Sequence, residues 1–156
     1  MIRIDIPGST PVLLEHLVLD FNGTLACDGE LLPGVRQRVQ QLSESVHIHV
    51  VTGDTFGRAR EQLAGLPCQL SILGPHDQAS AKLAYVQRLG VQSTACVGNG
   101  RNDALMVEAA ALGIAVVQAE GGAVQTLSTA DVVARDICDA LDLLLQPQRL
   151  IATLRT

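Results

Sequence analysis

The sequence predicts an α/β protein with a doubly wound, Rossmann-like parallel sheet and helices on both faces. Apolar runs of strand length alternate with longer stretches of helical periodicity, which is the pattern of repeated βα units. Hydrophobic residues make up 47% of the chain and aromatic residues only 2%, so the core must be aliphatic, as in many helix-covered parallel sheets. Because no linker, repeat or low-complexity tract interrupts the chain, we expect one domain over residues 1–156.

Six segments are predicted to be strands of the central sheet, because each combines an apolar run with a polar or glycine stop. Four have a clear start and stop: HLVLDF (16–21), VHIHVVTG (46–53), QLSILG (69–74) and TACVGNG (94–100). Two weaker ones follow, GIAVV (113–117) and ADVVA (130–134). The segment IRIDI near the start is a candidate for an extra edge strand.

Helices are predicted between these strands from apolar periodicity and from capping residues. The segments are GVRQRVQQLSES, DTFGRAREQLAGL, DQASAKLAYVQRLG, NDALMVEAAALG and the C-terminal RDICDALDLLLQPQRL. Asp54, Asp77 and Asn102 stand at positions typical of N-caps. Gly65 and Gly90 stand where the chain leaves a helix.

Composition narrows the classes of function. A formal net charge of -5 argues against nucleic acid or an anionic membrane as the main partner. The four cysteines lie far apart without a Cys-x-x-Cys pair, which favours reduced thiols over a zinc site. No apolar stretch has the length of a signal-peptide core or a membrane span, so we expect a soluble cytoplasmic protein. His47 and His49 alternate along one strand, and without an evident third metal ligand we expect them to pack under a helix.

Polar clusters follow three of the predicted strands, at the edge where open α/β sheets bind ligands. Asp20 introduces FNGTL after the first strand, the segment Thr52-Gly53-Asp54 ends the second, and GNGRND ends the fourth at Asp103. Lys82, in the helix before that fourth strand, is the only lysine beside ten arginines. A compact ammonium is suited to neutralising charge between a carboxylate and a phosphate, which a guanidinium fork does not replace.

These segments, in this order, resemble the four motifs of the haloacid dehalogenase (HAD) superfamily over nearly the whole chain. Within it, TGD (52–54), GNGRNDALM (98–106) and GIAVV followed by ADVV are most similar to the phosphorylation domain of P-type ATPases. The chain therefore resembles the small soluble P-type-ATPase-like members. The resemblance implies a Mg²⁺-dependent phosphatase or phosphohydrolase that works through an aspartyl-phosphate.

The resemblance also implies roles for individual residues. Asp20 would be the nucleophile, with Thr52, Gly53 and Lys82 binding the phosphoryl group. Magnesium would be held by the Asp20 carboxylate, the Asn22 backbone carbonyl and the Asp103 carboxylate, with Asn99 nearby. Glycines 23, 98 and 100 would let the backbone approach the ion and the phosphate. Simpler roles stay open, since Asp54, Asn102 and Asp103 could act as helix caps and Thr52 could only satisfy a strand end.

Two departures from the superfamily pattern bear on turnover. Asn22 replaces the usual acid/base aspartate, so alkyl phosphates should be poor substrates and anhydrides or acyl phosphates should suffer less. Asn99 replaces a common magnesium-binding aspartate, which should weaken the binding of the ion. Three hypotheses follow: a weak or leaving-group-selective phosphohydrolase, a non-catalytic phosphate- or nucleotide-binding module, and a phosphotransfer or regulatory partner.

The spaces where the superfamily inserts a cap domain are short. ACDGELLPG leaves room only for a flap, and the segment from Gly74 to Asp77 leaves none. We therefore expect a capless protein. An open site suits a macromolecular substrate, or a small one if a neighbouring copy in a homo-oligomer closes the mouth.

Overall fold

The computed structural model describes residues 1–156 and contains ten strands and seven α-helices. In chain order they are β1 (Ile2–Ile4), β2 (Val12–Leu14), β3 (His16–Leu19), β4 (Ala26–Cys27), β5 (Glu30–Leu31), α1 (Val35–Leu42), β6 (His47–Thr52), α2 (Ala59–Gln62), β7 (Gln69–Ile72), α3 (Gln78–Leu89), β8 (Thr94–Gly98), α4 (Ala104–Ala109), β9 (Leu112–Val116), α5 (Val124–Thr129), β10 (Val132–Ala134), α6 (Ile137–Leu145) and α7 (Pro147–Leu154).

Six strands form one parallel sheet in the order β10-β9-β8-β3-β6-β7, which confirms the predicted sheet. His16 of β3 lies between His47 of β6 and Thr94 of β8 in the register. The chain adds β6 and β7 on one side of β3 and then returns to add β8 on the other side. This reversal opens a crevice at the carboxyl ends of β3 and β8, where ligands bind in such sheets.

Both faces of the sheet are covered, as the doubly wound class requires. The larger apolar cluster contains 30 buried residues and packs β1, β2, α1, α6 and α7 against one face. The smaller contains seven buried residues and packs α3 and α4 against the other face. Successive strand residues point to opposite faces, so Leu17 and Leu19 join the larger cluster while Val18 joins the smaller one.

The segment IRIDI forms a strand, but it is not an edge strand of the central sheet as predicted. β1 pairs antiparallel with β2 in a separate two-stranded sheet, with Ile2 opposite Leu14. Gly8, with a φ of 87°, lies between these strands. The hairpin buries Ile4 and Leu14 in the larger cluster, so it covers a face of the central sheet and leaves the edge free.

Helix lengths differ from the prediction where the backbone prevents a helix. The predicted helix 54–66 shrinks to the single turn α2, because Asp54 and Gly57 have positive φ values of 50° and 67°. The C-terminal helix is two helices, since Pro147 begins α7 and lacks the N–H that would continue α6. Asn102 lies within a 3₁₀ turn and is not an N-cap. No helix in the structure is long and apolar enough to cross a membrane.

The histidine prediction holds for one of the two residues. His49 is buried, and its Nδ1 lies 3.0 Å from the Tyr85 hydroxyl on α3. His47, at the start of β6, is exposed. The His49 Nε2 also lies 3.1 Å from Nδ1 of His16. Burial, together with the neighbouring imidazoles of His16 and His47, lowers the pKa of His49 to about 4.

A short hairpin takes the place of a cap domain. β4 and β5 pair antiparallel and are joined by Asp28 and Gly29, whose φ values of 51° and 79° fit a tight hairpin turn. Residues 73–77, between β7 and α3, form no element. The cavity described below therefore lies under a flap of this size at most.

Candidate active site

A polar cavity of about 190 Å³ lies at the carboxyl ends of β3, β6 and β8, and no hydrophobic residue lines it. The lining residues are Asp20, Asn22, Thr52, Gly53, Thr55, Gln78, Asn99, Gly100, Asn102 and Glu120. The cavity thus brings together side chains that lie far apart in sequence. Five of the predicted site residues line it, namely Asp20, Asn22, Thr52, Gly53 and Asn99.

Lys82 is bonded to Asp20 but does not itself line this cavity. Its side chain is fully buried, and its Nζ donates to Oδ1 of Asp20 at 2.6 Å and to Oδ1 of Asp103 at 2.6 Å. Burial alone lowers the pKa of an ammonium, but the charges of Asp20 and Asp103 outweigh it and raise the pKa of Lys82. Lys82 is therefore charged at neutral pH and neutralises part of the site's negative charge.

Asp103 lies behind the cavity and does not line it. Its Oδ1 is taken by Lys82, and its Oδ2 accepts from the backbone N–H of Asn99 at 3.1 Å and of Gly100 at 2.9 Å. Burial and the nearby Asp20 charge raise the pKa of Asp103 above its ordinary value, while the ion pair with Lys82 opposes that shift. Asp103 is thus fully buried and positions Lys82 and the Gly98–Gly100 loop, while its role as a metal ligand stays a prediction.

Gly98 has a packing role beside the one predicted for it. A Cβ on Gly98 would lie 2.5 Å from the Cβ and Cγ atoms of Asp103. Gly98 therefore leaves space for the buried Asp103, while the approach of an ion or phosphate to its backbone stays a prediction.

Thr24 is a site residue that the motif contains but whose role the sequence did not specify. Its buried hydroxyl lies 3.1 Å from Oδ2 of Asp20 and 3.2 Å from Oδ1 of Asn99. Asn99 in turn donates from its Nδ2 to the Gly121 carbonyl at 3.0 Å. These bonds fix the Asn99 amide with its oxygen on the side of Asp20.

Asn22 carries an unpartnered polar atom in the cavity wall. Its Oδ1 is buried and has no hydrogen-bond partner. A buried oxygen without a partner costs roughly 1–3 kcal/mol, so this atom is suited to a donor or cation that enters the cavity. The chain turns directly after Asn22 at Gly23, whose φ of 81° favours glycine.

Thr52 and Asp54 have separate functions after β6. The Asp54 N–H donates to Thr52 Oγ1 at 2.9 Å, which leaves the Thr52 hydroxyl hydrogen available to a ligand. The Asp54 carboxylate accepts from the N–H of Ala59, the first residue of α2, at 3.0 Å, but Arg58 and not Asp54 occupies the N-cap position of that helix. Asn102 donates to Gln78 Oε1 at 3.1 Å at the cavity rim. Three lining residues, Thr55, Gln78 and Glu120, were not predicted from the sequence.

The comparisons with solved structures agree on the fold. The 3-deoxy-D-manno-octulosonate 8-phosphate phosphatase of Moraxella catarrhalis, solved with magnesium, phosphate and KDO, superimposes with a TM-score of 0.71 at 20% identity, covering 91% of this chain and 94% of that one. The cobalt-bound deoxy-D-mannose-octulosonate 8-phosphate phosphatase of Haemophilus influenzae gives 0.71 at 19% identity, covering 92% and 94%. A proposed HAD superfamily (subfamily III A) hydrolase of Legionella pneumophila gives 0.72 at 18%, covering 90% and 87%. This chain therefore has the HAD fold, as predicted, whereas the finer resemblance to P-type ATPases stays a prediction.

Sequence comparison identifies relatives of this chain in Methanocaldococcus jannaschii. The uncharacterized protein MJ0073 is 51% identical over 59 residues, which are 38% of this chain and 63% of that protein's length. The uncharacterized protein MJ0072 is 41% identical over 39 residues, which are 25% of this chain and 89% of that protein. No protein-family model matches the chain. The chain belongs to the same family as MJ0072.

Proposed function

We propose that this protein is a Mg²⁺-dependent phosphohydrolase that acts through an aspartyl-phosphate on Asp20. One observation carries the proposal: the only lysine of the chain lies fully buried between Asp103 and Asp20, and Asp20 lines a wholly polar cavity. Burying an ammonium is costly unless it is paired. A buried cation at the carboxyl edge of the sheet is suited to offset the charge of a phosphoryl group that approaches a carboxylate.

The oxygen atoms of the cavity fit a magnesium ion. Mg²⁺ binds oxygen ligands, commonly one or two carboxylates together with phosphate and water. Asp20, Asn22 and Asn99 line the same cavity, Asn22 Oδ1 has no partner within the protein, and no sulfur or imidazole ligand lines the cavity. We propose that Asp20, Asn22 and Asn99 hold the ion. Asp103 does not bind the ion in this proposal but positions Lys82 and the loop N–H groups. The bound ion would withdraw charge from the phosphoryl oxygens.

The residues of this chain then carry the chemistry in two steps. An oxygen of Asp20 attacks phosphorus, the bond to the leaving group breaks, and the leaving oxygen departs with the bonding electrons. Lys82 neutralises the carboxylate while the Thr52 hydroxyl donates to a phosphoryl oxygen. Water then attacks phosphorus, the bond to Asp20 breaks, and inorganic phosphate leaves. The proposed domain for this chemistry is the whole chain, residues 1–156.

Asn22 limits which leaving groups can depart. An amide cannot protonate a leaving alkoxide, and such acid–base assistance contributes roughly 10²- to 10⁴-fold in rate. Acyl phosphates, aryl phosphates and phosphoanhydrides need less assistance because their leaving groups are weaker bases. We therefore propose turnover that is weak on alkyl phosphates and selective for good leaving groups.

The same asparagine favours a second candidate, a phosphotransfer or regulatory protein. Asn22 also cannot activate the water molecule of the second step, so phospho-Asp20 would be long-lived. Such a protein would hold the phosphoryl group and signal through it, or pass it to a partner.

A panel of acyl, aryl, anhydride and alkyl phosphates, assayed with Mg²⁺, tests the proposal. We expect turnover of the first three classes and little of the fourth, with Asp20→Asn inactive throughout. Turnover that survives in Asp20→Asn, or its absence with every class, would reject the phosphohydrolase. Accumulation of phosphorylated protein without turnover would favour the second candidate.

A further inference from the structure

The proposed ion site is short of negative charge. Asp103 is fully buried and does not line the cavity, so of the two carboxylates bonded to Lys82 only Asp20 faces it. The neighbouring oxygens at Asn22 and Asn99 are uncharged amides. Mg²⁺ is bound through one or two carboxylates together with phosphate and water, so a second carboxylate in the wall would complete such a site. The cavity wall contains one further carboxylate, Glu120.

Glu120 faces Asn99 across the loop that follows Asp20. The position that a Gly23 Cβ would occupy lies 2.7 Å from Glu120 Oε2 and 2.7 Å from Asn99 Oδ1. The two side chains therefore flank Gly23 from the same side, where no side chain separates them. Glu120 makes no hydrogen bond and no ion pair within the protein, and its carboxylate also lies within 4.8 Å of the Asp28 carboxylate and the Cys27 thiol.

The turn that carries Glu120 is fixed to the site at several points. Gln118 donates from its Nε2 to the carbonyls of Gly23 at 3.1 Å and Thr24 at 2.9 Å. The Gly121 carbonyl accepts from Asn99 Nδ2 at 3.0 Å, and the turn is closed by the Gly121 N–H to the Gln118 carbonyl at 2.8 Å. Glu120 is thus an exposed side chain on a backbone that the Asp20 loop and Asn99 hold in place.

From these contacts we propose that Glu120 belongs to the shell of the bound divalent cation and supplies the negative charge that Asn99 lacks. The proposal rests on the proposed function, because it concerns the same ion site. It assigns a charged ligand to the turn after β9, which carries none of the sequence motifs. Loss of a charged group in the shell of a metal typically weakens binding by about 10- to 100-fold.

The test is Mn²⁺ binding to the free protein. Binding is measured as the loss of the electron paramagnetic resonance signal of free Mn²⁺. Mn²⁺ suits the same oxygen ligands as Mg²⁺. We expect Glu120→Gln to weaken Mn²⁺ binding about tenfold or more. Glu108→Gln on α4 is the matched control, because it makes the same substitution at an exposed carboxylate that does not line the cavity. It removes the same charge, so it should weaken binding by less than about threefold if only the general field is involved.

A double variant tests the assignment of the missing charge. If Glu120 compensates for Asn99, the variant Asn99→Asp/Glu120→Gln should bind Mn²⁺ about as tightly as the natural protein, because one carboxylate replaces the other. Equal affinities of Glu120→Gln and Glu108→Gln would overturn the proposal for Glu120 alone. Failure of the natural protein to bind Mn²⁺ at all would instead reject the metal site of the proposed function.

Discussion

Replacing Lys82 by methionine should destabilise the fold strongly, because it leaves two buried carboxylates without their cation. Methionine keeps the apolar stem and removes the ammonium that bonds Asp20 and Asp103 at 2.6 Å each. Lys82 and Asp103 are fully inaccessible and Asp20 is 6% exposed, so solvent cannot replace the lost pairing. Removing one partner of a buried ion pair costs about 3–5 kcal/mol. A domain has about 5–15 kcal/mol of stability in total, so a large share should be lost.

Urea unfolding followed by circular dichroism measures this cost. Arg38→Met is the matched control, because the Arg38–Asp142 pair has similar lengths but each side chain is about a quarter exposed, at 26% and 24%. We expect the control to lose about 1 kcal/mol or less. Adding Asp103→Asn to Lys82→Met should recover part of the loss, since only one carboxylate then stays unpaired. A loss for Lys82→Met no greater than for the control would refute the reasoning.

Three further predictions concern the acid–base residue, pH and the loop glycines. Asn22→Asp should raise turnover of alkyl phosphates by about 10²-fold or more with little change for acyl phosphates, and an equal gain for both in steady-state assays would contradict acid catalysis. His49, whose pKa is lowered to about 4, should make the free energy of unfolding fall as the pH drops from 6.5 towards 4, because only the unfolded chain takes up the proton there. The loss should be on the order of 1–2 kcal/mol after solvent screening, and an unchanged pH profile in His49→Gln would show that another group is responsible. Gly98→Ala should cost about 1–3 kcal/mol because its Cβ would lie 2.5 Å from buried Asp103 atoms, whereas Gly100→Ala first meets a movable Asn102 oxygen at 2.8 Å. Equal thermal stability of the two variants would contradict this difference.

The sequence predicted the sheet and the centre of the site because both depend on local signals. Each strand is an apolar run that stops at a polar residue, and parallel strands bring those stops to one edge. Lys82 was found because it is the only lysine in the chain. In the structure Lys82 forms two ion pairs because α3 packs beside the strand ends.

What the sequence did not predict depends on contacts between distant segments. Glu120 and Gln78 carry no motif, and they reach the cavity only because β9 and α3 pack beside β8 and the site. The position of Asp103 behind the cavity depends on backbone N–H groups of its own loop, which a list of carboxylates cannot show. The length of α2 was overestimated because the left-handed backbone at Asp54 has no strong sequence signal.

Trapping the phosphorylated protein tests the central claim most directly. The protein is incubated with Mg²⁺ and a small acyl phosphate, quenched in acid, digested and examined by mass spectrometry. The account predicts one phosphoryl group on the peptide that contains Asp20, absent in Asp20→Asn and persisting longer than in Asn22→Asp. A phosphoryl group on another residue, or none in a protein that still turns over the acyl phosphate, would contradict it.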